Sequence, residues 1–98
     1  MFTVIYRWRI KPELEAEFLR VWHTRTRKIE EHCGSHGARL HKADDGTYVS
    51  IALWPSRETW EAPMRLPDDD EDDRVFRASI QERLPTQTMT VVDDLWCG

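Results

Sequence analysis

The chain has 98 residues, a third of them charged, and a net charge of −4. That is the length of one domain spanning 1–98, with enough residues to bury a core but little area to spare. The acidic balance, with basic residues interleaved among acidic ones, excludes a nucleic-acid binder, which carries a basic patch. No apolar run approaches the roughly 20 residues of a membrane span.

The N-terminus has neither a charged leader nor a small-residue cleavage site, so no signal peptide is expected. Cys33 and Cys97 make no disulfide framework, and free thiols in a cytoplasmic protein are expected.

Phe2 to Ile10 alternates. Phe2, Val4, Tyr6, Trp8 and Ile10 share one face, and Thr3, Ile5, Arg7 and Arg9 the other, which predicts a strand with one aromatic face. Lys11-Pro12 opens a helix, because proline's missing N–H is no loss in a first turn. Glutamates 13, 15 and 17 suit the positive end of its dipole, and Arg25, Arg27 and Lys28 the negative end. The apolar stripe is Leu14, Phe18, Val21, Trp22 and Ile29. Arg25 and His32 fall on that stripe and His23 opposite it. Gly34 is a natural stop, so the helix ends near Cys33.

Gly37 to Lys42 reads as a second strand and Tyr48 to Trp54 as a third, joined through the turn signal Asp45-Gly46. Pro55 ends the third strand, and Ser56 caps a helix running to about Leu66, broken or kinked at Pro63. Residues 67–73 read as a solvated acidic loop whose partial deletion is tolerated, because six consecutive carboxylates repel one another. Arg74 to Leu84 places Phe76, Ile80 and Leu84 four apart and reads as a helix stopped by Pro85. Thr88 to Trp96 reads as a last strand.

Strand, helix, hairpin, helix and strand, joined by right-handed crossovers, make an α+β, ferredoxin-like βαββαβ fold: a four-stranded antiparallel sheet with helices on one face. The other sheet face is left bare, which predicts a homodimer joined sheet to sheet.

His32, Cys33 and His36 have metal-ligand residue types but no zinc spacing, so no metal is expected. No phosphate loop, dinucleotide fingerprint or Ser-His-Asp set is present. Tyr6, Trp8, Trp22, Trp54 and Trp60 either fill the core of a small protein or wall a pocket for a flat aromatic ligand. Arg25, on an apolar stripe, either meets an anion or runs along the stripe to water. His32, near a helix end, reads as solvent-exposed.

Three segments carry a resemblance. They are Val4-Ile5-Tyr6-Arg7-Trp8-Arg9-Ile10-Lys11-Pro12 with the helix bearing Phe18 and Trp22, then Asp44-Asp45-Gly46-Thr47-Tyr48, then Trp54-Pro55-Ser56-Arg57-Glu58-Thr59-Trp60. Together they resemble the antibiotic-biosynthesis-monooxygenase-like family of dimeric α+β barrels. The resemblance implies a homodimer and, in the quinone-forming branch, a monooxygenase that needs no cofactor and oxidises a phenol or anthrone. With the aromatic set and the apolar stripe of the first helix, this reading places Tyr6 and Arg25 in the polar roles and Trp8, Trp22, Trp54 and Trp60 in the walls. The alternative is a dimeric binding or accessory protein of the same fold with no activity. The heme-degrading branch needs an Asn on the first strand and a His beyond the third; here the first strand has no Asn and the last His is His41.

Overall fold

Nine residues of alternating character form β1 (Phe2–Ile10), as the pattern predicts. The structure, a computed structural model, describes residues 1–63 and 70–96, and the side chain of Asp70 is not among the features described. After β1, Pro12–Leu14 make a single 3-10 turn with proline in its first positions, and α1 (Glu15–Cys33) follows. Gly34 ends α1 at φ +80°, a left-handed conformation that a Cβ would strain.

β2 (Ala38–Lys42) and β3 (Tyr48–Trp54) form the hairpin. Its turn holds Gly46 at φ +90°, and the Asp45 carboxylate accepts from the Thr47 N–H at 2.9 Å. The Ser56 hydroxyl accepts the Thr59 N–H at 3.1 Å and caps α2 (Arg57–Glu61). This helix is shorter than expected. Ala62 is already extended, the conformation forced on a residue before proline, and 64–66 lie outside the described residues.

The C-terminal third departs from the sequence expectation. The helix is α3 (Asp70–Ser79), and Ile80–Thr90 form β4. Ile80 and Leu84 are therefore strand residues, and Pro85 lies inside a strand rather than ending a helix. A spacing of four repeats on a strand face as well as on a helix, so periodicity could not separate the two. The deciding interaction is non-local: β1 has a free edge, and β4 pairs along it from Ile10↔Ile80 to Phe2↔Thr90. Pro85 is accommodated where the register shifts, between Ile5↔Gln87 and Arg7↔Leu84, on an edge strand. Residues 91–96 are not strand.

The acidic segment is also corrected. Residues 70–73 begin α3 and do not form a loop; 67–69 lie outside the described residues. Asp72 pairs with Arg20 at 3.4 Å. The two oxygens of Asp73 meet Arg25 and Arg77, each at 2.9 Å. Carboxylates at a helix N-terminus are favoured by the dipole, and the arginines of α1 and α3 offset their mutual repulsion. A deletion reaching 70–73 therefore removes the ionic seam between α1 and α3.

The sheet order is β2-β3-β1-β4, all neighbours antiparallel, which is the ferredoxin-like arrangement. Its inner face carries two clusters. One gathers Trp8, Phe18, Val21, Tyr48 and Phe76; the other gathers Phe2, Val4, Ala52 and Trp54. Tyr6 packs against both. The outer face presents Ile5, Arg7, Val49, Ile51 and Leu53, each half-buried, under a tail whose Trp96 ring lies 5.2 Å from the Arg39 guanidinium. Among the described residues no helix is long and apolar enough to cross a membrane.

At one end of the sheet, the Lys42 ammonium meets the Glu15 carboxylate at 2.9 Å. Its hydrogen bond, with a second from Tyr48, holds the Glu15 carboxyl below its ordinary value, and Glu15 in turn raises Lys42. Burial pushes the Tyr48 phenol up. A lowered carboxyl contributes stability that is present above its unfolded-state value and lost as pH falls through its folded-state value. Glu15→Gln should therefore lower the neutral plateau slightly and converge with wild type at acid pH, which flattens the acid limb of the stability profile. Urea unfolding of both proteins, stepped down through the carboxylate range, checks this; parallel acid limbs would contradict it.

Candidate functional site

Small residues open a cavity between the sheet and α1. On the inner face Tyr6 stands opposite Ser50, and Ala52 lies between Val4 and Ala38. The short side chains of Ser50, Ala52 and Ala38 leave space between the sheet and α1. The cavity measures about 220 Å³. An apolar cavity of about 150 Å³ admits benzene, so this one has room for a larger flat aromatic ring system.

Aromatic rings make its walls. Trp8, Trp22, Trp54 and Phe76 line it, with Tyr6 beside them. Tyr6 and Trp8 stack at 5.9 Å, and Phe76 meets Trp8 edge to face at 5.8 Å. Polar groups punctuate the walls: the Tyr6 hydroxyl, Arg25, Thr26, Ser35, Ser50 and Arg83.

The structure brings Tyr6, Trp8, Trp22, Arg25 and Trp54 to this cavity. Trp60 is placed behind it: its indole N–H donates to the Tyr6 hydroxyl at 2.9 Å, and its ring packs on Phe2 at 5.6 Å. It aims Tyr6 and makes no wall. The phenol oxygen, having accepted one hydrogen bond, keeps its own proton to donate. Trp54 is 3 % exposed, and its indole N–H is buried with no partner among the described residues. A buried orphan donor costs about 1–3 kcal/mol, so Trp54 is held with an unmet demand for an acceptor.

Arg25 is fixed from two sides. Its guanidinium lies 4.8 Å from the centre of the Phe76 ring and bonds Asp73 at 2.9 Å. Asp73 is only partly covered and is shared with Arg77. Removing Arg25 therefore leaves no buried carboxylate alone, and the 3–5 kcal/mol of a broken buried pair does not apply. Arg25→Ala should cost about 1–1.5 kcal/mol, from the ring contact and a half-exposed pair. His23 is exposed, so His23→Ala should fall within about 0.5 kcal/mol. Urea denaturation of the two variants checks the order; equal losses would contradict the placement of Arg25. His32 is exposed too.

Sequence reasoning missed Arg83 and Phe76. The spacing of Phe76, Ile80 and Leu84 places Arg83 on a helix, whereas as a β4 residue it stands opposite Trp8 on the inner face. The signal for the cavity was nonetheless present: small residues at alternate positions of a strand that both begins and ends on an aromatic ring. Among the described residues no three His, Cys, Asp or Glu side chains converge as a metal site, and Cys33 is a half-buried free thiol.

Comparison with known proteins bears on the whole architecture. The cofactor-independent oxygenase SnoaB from Streptomyces nogalater superposes with a TM-score of 0.76 at 20% identity, over 96% of this chain and 95% of that one. Rv0793 from Mycobacterium tuberculosis gives 0.76 at 14% identity, over 97% and 98%. A conserved protein from Methanosarcina mazei Go1 gives 0.73 at 11% identity, over 90% and 89%. At such identities these likenesses establish the fold alone. Among curated proteins none matches. The family model described as antibiotic biosynthesis monooxygenase matches residues 1–68, the part that holds β1, α1, the hairpin and α2. With the fold and most of the cavity wall lying inside that match, the chain belongs to the antibiotic biosynthesis monooxygenase family.

Proposed function

We propose that the protein is a cofactor-independent monooxygenase acting on a small aromatic substrate of the phenol or anthrone kind. The observation that carries this is the cavity of about 220 Å³, walled by Trp8, Trp22, Trp54 and Phe76 and furnished with the Tyr6 hydroxyl and Arg25. The substrate's ring lies among the aromatic walls and gives up a proton. Its electron-rich anion then reacts with dioxygen. In an anthrone the ring CH2 becomes C=O and the second oxygen atom leaves as water, so the substrate itself supplies all the electrons. The protein's part is to exclude water, to hold the ring, and to place the Arg25 charge and the Tyr6 proton near the developing oxyanion. SnoaB, described as a cofactor-independent oxygenase, supports the reading as a relative in fold.

A second reading is a binding or accessory protein without activity. The observation favouring it is the lining itself: among the described residues it contains no carboxylate and no imidazole to act as a base. Oxygen uptake separates the two. Wild type mixed with dihydroxyanthrone or 1-naphthol should consume oxygen above the spontaneous rate, and Ala52→Leu, which fills the cavity, should abolish the excess. Binding without uptake would favour the second reading; uptake unchanged in Ala52→Leu would place the chemistry elsewhere.

The working unit in this reading is a homodimer joined through the outer sheet face. Ile5, Val49, Ile51 and Leu53 make an apolar centre there, and the Arg7 Nε is buried without a hydrogen-bond partner among the described residues. A second copy would cover the first and offer acceptors to the last.

A further inference from the structure

The cavity's polar groups are unbalanced. Two guanidiniums, Arg25 and Arg83, line it, and among the described residues no Asp, Glu or His does. The protein as a whole carries −4, so this patch, with Arg25 half-buried and Arg83 exposed at the edge strand, runs against the molecule's own charge. Asp73 does not cancel it, because that single carboxylate serves both Arg25 and Arg77. Among the described residues Arg83 has no ion-pair partner.

Acceptors are scarce as well. The Tyr6 oxygen already accepts from Trp60, and the Ser35 hydroxyl donates to the Leu53 carbonyl and accepts from the Gly37 N–H. The Trp54 N–H, on a residue only 3 % exposed, has no acceptor among the described residues. A site of two cations and an unmet donor, without a base, suits a ligand that brings negative oxygen with it.

We infer that the cavity selects its ligand as an anion: a flat aromatic carrying an ionised oxygen, a carboxylate or a phenolate, met by Arg25 and Arg83 with the Trp54 N–H as a further donor. This rests on the reading of the cavity as the ligand site, and adds the charge state of the ligand and Arg83 as a binding residue. Proton loss then needs no dedicated base, because the two guanidiniums favour the ionised form of the bound acid over the neutral one.

The test is anaerobic binding, read by quenching of tryptophan fluorescence. The probes are 2-naphthoate, its neutral analogue naphthalene-2-carboxamide, and 2-naphthol. At neutral pH naphthoate should bind about tenfold or more tighter than the carboxamide. Arg83→Gln, on an exposed edge strand, should weaken naphthoate by about tenfold and leave the carboxamide unchanged within about twofold. Arg25→Gln should act in the same direction. With 2-naphthol, the naphtholate absorption should appear at lower pH in the complex than in free solution, and this shift should shrink in Arg83→Gln. Preference for naphthoate alone assigns the oxygen to a carboxylate; the naphthol shift alone assigns it to a phenolate; either supports the inference. A carboxamide that binds as tightly as naphthoate, with no naphthol shift, overturns it and leaves the aromatic cavity standing. No binding of any probe overturns the inference and the reading of the cavity together.

Discussion

Phe18→Ala should remove about 3–5 kcal/mol of stability, the range for deleting a fully buried aromatic ring. Phe18 is wholly inaccessible to solvent. Its ring lies 5.7 Å from Trp8, 5.1 Å from Tyr48 and 5.8 Å from Phe76, so one α1 side chain joins β1, β3 and α3. These neighbours are themselves large rings on regular elements and have little freedom to close a void. For a chain of this size each kcal/mol moves the midpoint by roughly 4–8 °C, so Tm should fall by at least about 12 °C. Total stabilities of about 5–15 kcal/mol are usual, and the variant should be partly unfolded at physiological temperature. Leu19→Ala, one residue along on the exposed face, is the control and should change little. Equal losses at the two positions, measured by urea denaturation, would contradict the assignment of the inner face.

Ile51→Asp should convert the proposed dimer to monomer. Ile51 pairs with Ile5 across the centre of the outer sheet face, and Arg39 is its neighbour on β2. In an isologous interface the twofold axis brings both copies of a substitution into the same contact. Burying two unpaired carboxylates there costs several kcal/mol, which raises the dissociation constant by about 10³-fold or more. Sedimentation at micromolar concentration should give a dimer mass for wild type and a monomer mass for the variant, with circular dichroism unchanged. A wild-type monomer would end the dimer proposal, and a dimeric variant would move the interface off this face.

The elements that were legible from sequence are those whose signals are local. β1 alternates along nine residues, with Ile5 the one apolar residue on its outer face. The α1 stripe, the Gly34 stop, the Asp45-Gly46 turn and the Ser56 cap each rest on a backbone preference that acts within a few residues. The first two-thirds of the fold follow from them. Beyond Glu61 the local signals mislead. Phe76, Ile80 and Leu84 satisfy a helix and a strand equally, and Pro85 argues against a strand unless a register shift awaits it. The six carboxylates at 68–73 look like a repelling loop to anyone without the arginines of α1 in view.

The aromatic residues show the same division at the site. Their abundance was plain from the chain, but whether a ring fills the core or walls a cavity depends on what stands opposite. Phe2 and Val4 pack into closed core, while Tyr6 borders space because Ser50 opposite it, and Ala52 further along β3, are too small to fill it. Trp60 reads like the other tryptophans and instead fixes the Tyr6 hydroxyl from behind. Arg83 joined the cavity only when β4 paired with β1 and set it opposite Trp8. Backbone preference and hydrophobic period, acting over a turn or a strand, determined β1, α1, the hairpin and the α2 cap from the sequence by itself. Contacts between residues tens of positions apart, whose energies depend on the volumes and charges they meet, decided β4, the ionic seam at α3 and the shape and charge of the cavity.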